Sequence, residues 1–93
     1  MMEDSSRLGT NTTFTLSGTS QASASFGGQT RQVRVATGGQ PAYIKIDDGT
    51  PTAAATDPLM PANWVDYFTV NPGQKIAVLQ AGTAGTLSVT EMN

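Results

Sequence analysis

Covalent chemistry in proteins draws mostly on His, Cys, activated Ser or paired carboxylates, and this chain holds a short inventory of them. Its 93 residues include no His and no Cys. The first absence removes the commonest general base and metal ligand, and the second removes disulfides and thiolate metal sites. A nucleophilic site would have to rest on Ser with Lys, or on carboxylates alone. The one adjacent acidic pair, Asp47-Asp48, precedes Gly49 and reads as an Asx-type turn closing a strand. As a Ca²⁺ site it lacks the further oxygen ligands that an EF-hand loop spaces out. Asp57 and Asp66 could be cast as a glycosidase pair, but two carboxylates among the seven acids of this chain are no signal. Gly27-Gly28 and Gly38-Gly39 are each followed by a strand pattern, whereas a phosphate-binding loop opens a helix. No catalytic residue, metal or cofactor is expected.

The remaining candidates are apolar. Trp64 is the only Trp, close to Met60, Pro61 and Tyr67. Trp and Tyr dominate the energetic centres of protein interfaces, so Trp64 is either an interface anchor or a core residue capped by its own loop. A sugar-stacking platform wants several aromatic rings on one face, and aromatic residues are only 6% of this chain. Asn11-Thr12-Thr13 fits a glycosylation acceptor, but nothing in Met1–Thr13 resembles the apolar core of a secretory signal.

The elements that would hold these residues are read from periodicity. Residues 1–11 show none and form a flexible N-terminal arm in this reading; 12–93 form a single domain. From Thr12 apolar and polar residues alternate with period two, as half-buried strands require. Phe14 and Leu16 share one face; Ala22, Ala24 and Phe26 follow, then Val33 and Val35, then Ala42, Ile44 and Ile46. Gly-containing turns separate these runs about every ten residues, the spacing of a sandwich or barrel. Asn71-Pro72-Gly73 suits a type II turn, with Pro and Gly at the two central positions. The unbroken apolar run Ile76-Ala77-Val78-Leu79 predicts a strand covered on both faces. Leu87 and Val89 alternate with hydroxyl residues after a turn at Gly82–Gly85, giving a final hairpin. Pro51, Pro58 and Pro61 rule out a helix over residues 50–64, where residues 52–55 supply at most one short edge strand. The fold class is all-β, an antiparallel β-sandwich of seven or eight short strands.

Composition narrows the partners. Charged residues are 13% of the chain, the formal net charge is −2, and the five basic residues are scattered. No stripe of positive charge exists for a nucleic-acid backbone, and no run approaches the ~20 apolar residues that span a bilayer. Neither nucleic acid nor membrane is an expected partner, and a soluble chain is expected. Ser and Thr number 21. Hydroxyl surfaces desolvate at lower cost than charged ones and suit lasting contact with protein. A chain of this length buries roughly 60–65% of its unfolded surface, so oligomerisation is the expected supplement to a small core.

The order of pieces from Arg31 to Glu91 resembles a group of small proteins encoded among the head genes of tailed bacteriophages. The pieces are Val33-Arg34-Val35 with its Gly-rich turn, Ala42-Tyr43-Ile44-Lys45-Ile46 and an Ala/Thr-rich loop with Asp57 and Pro61. The corner Phe68-Thr69-Val70-Asn71-Pro72-Gly73, the run Ile76-Ala77-Val78-Leu79 and Gly85-Thr86-Leu87-Ser88-Val89-Thr90 complete them. Some relatives carry a Gly where this chain has Asp47-Asp48. The resemblance implies a jelly-roll sandwich and a capsid decoration (cement) protein, commonly a homotrimer, on the outer capsid surface of the virion. There it would bind the major capsid protein and stiffen the head against DNA pressure. On that reading Arg7 and Leu8 are the capsid-contact candidates in the arm, and Met60, Trp64 and Tyr67 are the subunit-interface candidates. The competing expectations are a head-fibre base or a tail or collar adaptor on the same sandwich, and, from another class, a carbohydrate-binding module.

Overall fold

A computed structural model describes residues 8–92. Eight strands and no helix occur among them: β1 (Leu8–Thr15), β2 (Gln21–Ala22), β3 (Gln32–Gly38), β4 (Ala42–Asp47), β5 (Leu59–Met60), β6 (Val65–Thr69), β7 (Lys75–Gln80) and β8 (Thr86–Met92). They form two four-stranded antiparallel sheets, ordered β1-β8-β3-β6 and β2-β7-β4-β5.

That order has a simple origin. β1 pairs with β8, β2 with β7, β3 with β6 and β4 with β5, as in one long hairpin folded about the β4–β5 connection. Rolling this hairpin adds the β3–β8 and β4–β7 ladders and closes two sheets face to face. Every connection except β4–β5 therefore swaps sheets. This is the wrapping of a jelly roll, one of the ways in which antiparallel chains limit their exposed edges.

The period-two pattern places the core. Phe14, Val33, Val35, Leu87 and Val89 from one sheet meet Ala42, Ile44, Met60, Ile76 and Val78 from the other, with Leu16, Phe26 and Val70 closing the ends. Burying each of the larger side chains is worth about 1.5–3 kcal/mol, so the interleaved stack is the main source of stability. β7 is interior to its sheet, and its Ile76-Ala77-Val78 run is fully buried. Ala77, between the inward Ile76 and Val78, faces away from the core. In the loop after β4, Pro51 and Ala53 are buried, and the Ala53 N–H donates to Ser20 Oγ, just before β2, at 2.8 Å.

Several sequence expectations change. The strand that the alternation starts at Thr12 begins at Leu8, so residues 8 to 11 belong to β1; Leu8 stands opposite Met92 and Asn11 opposite Thr90, with a register shift between them. Only Gln21–Ala22 of the Ala22-Ala24-Phe26 run is strand, and Ala22 and Ala24 are exposed whereas Ser23 is buried. The Ser23 N–H keeps its ladder bond to the Ile76 carbonyl at 2.9 Å, while its hydroxyl accepts the Ile76 N–H at 3.1 Å and donates to the Ala24 carbonyl at 2.8 Å, so a side chain takes over half of the ladder pair there. Residues 52–55 form no strand; the short edge strand is β5 instead. β7 and β8 are not a hairpin, because the turn at Gly82–Gly85 crosses between sheets. The Asn71–Gln74 corner agrees with its sequence: the Gln74 N–H donates to the Asn71 carbonyl at 3.2 Å across Pro72 and Gly73, whose φ of 88° a side chain would resist.

Candidate interaction surface

The acidic residues that might have done chemistry are engaged with backbone. The Asp48 N–H donates to Asp47 Oδ1 at 2.8 Å, and Gly49 follows at φ 73°. Asp57 closes its own turn, accepting the Ala54 N–H at 2.8 Å and donating its N–H to the Ala54 carbonyl at 2.9 Å. Asp66 Oδ1 accepts the N–H of Tyr67 at 2.8 Å. No group of three or more potential metal-ligating side chains occurs among the described residues.

Among the described residues, the large exposed apolar side chains all lie on one nine-residue stretch. Leu59 is 54% exposed, Trp64 52%, Val65 43% and Tyr67 50%. Met60, named above as an interface candidate, is buried at 4% in the core. β5 is only two residues long, so strand alternation sends one side chain in and the other out, and Leu59 takes the exposed place. Trp64 and Tyr67 are at the surface, and Trp64 is not capped beneath its loop. Arg7 lies outside the described residues.

The stretch is anchored from below. Thr37 continues the inward face of Val33 and Val35 and is 6% exposed. Its hydroxyl donates to the Pro61 carbonyl and accepts the Trp64 N–H at 3.0 Å, while its own N–H donates to the Trp64 carbonyl at 2.9 Å. Asn63, at φ 54°, accepts the Gly39 N–H on Oδ1 at 3.0 Å. The crossover from one sheet to the other is thus pinned at both ends of its turn, and Trp64 is presented from a fixed backbone.

Beyond the turn, β6 is an edge strand. The Val70 N–H donates to the Arg31 carbonyl and the Thr37 N–H to that of Trp64, which fixes the phase of the β3–β6 ladder. Even-numbered residues of β6 bond to β3; Val65, Tyr67 and Thr69 turn their N–H and C=O groups outward. Across the gap β4 is likewise uncovered past its short partner, since the Ile44 N–H is bonded to the Pro58 carbonyl and no β5 residue reaches Ile46. Between these edges lies an apolar groove of about 280 Å³, lined by Ile44, Lys45, Ile46, Pro58 and Phe68.

The opposite side of the sandwich holds a cleft of about 210 Å³ between β1 and the irregular chain after β2, lined by hydroxyl and apolar residues together with Glu91. Glu91 Oε1 accepts the Gly27 N–H at 2.9 Å and the Thr30 hydroxyl at 2.6 Å, tying the end of β8 to the turn before β3. Its bonds are internal to the fold. Comparison with protein-family models, curated proteins and solved structures gives no match.

Sequence reading found Trp64 and Tyr67 through their residue types. It missed Leu59 and Val65, because exposure of an aliphatic residue follows from strand length and sheet edges. The signal available for Leu59 was its position between Pro58 and Pro61, where no long strand can run.

Proposed function

We propose that this protein is a capsid decoration protein of a tailed bacteriophage, binding the outer surface of the head in many copies and stabilising it. The observation that carries the reading is the confinement, among the described residues, of the large exposed apolar side chains to the stretch Leu59–Tyr67 of a jelly-roll sandwich. Exposed Trp and Tyr side chains held on an anchored backbone are the residue types that centre protein contacts. The charge-poor surface and the strand-and-turn order that resembles phage head proteins support the same role. Trp64 and Tyr67 serve the subunit or capsid interface in this reading, and Arg7 with Leu8, the first residue of β1, the capsid contact.

Co-sedimentation with expanded, DNA-free heads of the phage that carries the gene tests it. The expected result is saturable binding of many copies per head with a raised thermal disruption temperature. A chain beginning at Leu8 keeps β1 and isolates the contribution of Arg7 and the residues before it. Absence of binding by the full chain refutes the decoration role, and a single ring of copies at one vertex reassigns the protein as an adaptor.

A further inference from the structure

We propose that the outer edge of β6 is a docking site for an extended segment of a partner protein. The segment would add as a ninth strand and carry an apolar residue two positions before a Lys or Arg. The site is built from backbone and three side chains. Val65, Tyr67 and Thr69 direct ladder N–H and C=O groups away from β3, and among the described residues only the Tyr67 N–H has a partner, Asp66 Oδ1 at 2.8 Å. An unpaired strand edge recognises one kind of occupant, another extended chain, with main-chain bonds giving affinity and alternate side-chain pockets giving selectivity.

The pockets follow from alternation. Asp66 and Phe68 pair with Val35 and Val33, the inward residues of β3, so both lie on the side of β6 that faces the groove. An antiparallel strand would place one residue opposite Phe68 and, two positions later, another opposite Asp66. The first meets the walls made by Phe68, Ile46 and Pro58. The second meets an exposed carboxylate that pairs with no cation among the described residues. Lys45 contributes only to the rim, because alternation with Ile44 and Ile46 sends its side chain out on the far side of β4.

Charge favours a foreign basic segment over a second copy of this chain. Outward ladder groups at 65, 67 and 69 allow two-fold antiparallel self-pairings centred on residue 66, 67 or 68. The first sets the two Asp66 carboxylates directly opposite each other, and the second sets them as diagonal neighbours; like charges so placed repel. A cation opposite Asp66 reverses the sign. It also releases the Tyr67 N–H to the incoming carbonyl, so that no hydrogen bond is lost on docking. Asp66 therefore disfavours the self-pairings centred on residues 66 and 67 and selects a basic strand. This inference does not rest on the decoration role, since it concerns the isolated protein and a peptide.

The test uses the ¹⁵N-labelled full chain and the blocked peptide Ser-Thr-Val-Thr-Lys-Thr-Ser, followed by amide shifts and hydrogen exchange. The expected result is saturable perturbation centred on Val65, Tyr67 and Thr69, with slowed exchange at Val65 and Thr69. Replacing the peptide's Lys by Glu should weaken binding about three- to tenfold, the range of an exposed ion pair turned into a repulsion. Asp66→Lys should invert that preference, a readout that a general loss of stability would not produce. Equal binding of the two peptides, perturbation confined to β1, or no perturbation at all would overturn the proposal.

Discussion

Thr37 carries the most informative perturbation in the molecule, because one hydroxyl joins the core of the sandwich to the stretch that presents Trp64. Thr37→Val keeps the β-branched shape and the strand propensity while deleting the oxygen. Two hydrogen bonds disappear, the one given to the Pro61 carbonyl and the one taken from the Trp64 N–H at 3.0 Å. Each is worth about 0.5–1.5 kcal/mol net. Pro61 and Trp64 are exposed, so water can reach the freed groups, and the expected loss is about 1–2 kcal/mol. A domain of this size is stable by roughly 5–14 kcal/mol, so the change is readable. In thermal unfolding it corresponds to a fall of roughly 5–15 °C. Trp64 is the sole Trp and supplies a second readout: iodide quenching of its fluorescence should rise as the turn loosens. Thr37→Ser retains the oxygen and should lose less than half as much. A Val variant within about 0.5 kcal/mol of the parent, or a Ser variant as unstable as the Val variant, refutes the anchoring role.

Two further variants probe the rest of the frame. Glu91→Ala removes both bonds to the 27–30 turn and leaves the Thr30 hydroxyl, 2% exposed, without its partner, for an expected loss of about 2–3 kcal/mol in urea unfolding. Glu91→Gln, which keeps an acceptor, should lose roughly 1 kcal/mol. Gly85→Ala sets a Cβ 2.7 Å from Gln40 Cβ and 3.2 Å from the Gly38 carbonyl oxygen, and should destabilise by about 1–3 kcal/mol. Gly28→Ala meets nothing within 4 Å and is the neutral control, within about 0.5 kcal/mol of the parent.

The sequence by itself determined the class of this protein and most of its core. Period-two alternation at Phe14–Leu16, Val33–Val35, Ala42–Ile44 and Leu87–Val89 assigns both strand and inward face, because a strand has only two faces and burial selects one. Pro72-Gly73 identified its turn, since few dipeptides fit both central positions. The Ile76–Val78 run identified an interior strand, since no polar residue interrupts it. What sequence could not determine is which strands pair. β1 and β8 lie at opposite ends of the chain, and local pattern carries no information about so distant a partner. The final Gly-rich turn thus resembles a hairpin in sequence and is a crossover in space. The surface follows the same division. Met60 and Leu59 are chemically alike, and only the register of β5 on β4, which sets Met60 opposite inward Ala42 and Leu59 opposite Tyr43, buries the first and exposes the second. Asp66 is an unremarkable acid in the chain. Its place on an edge strand, holding the outward N–H of Tyr67 and beside an apolar groove, is decided by tertiary structure, because an edge exists only once the sheets have assembled.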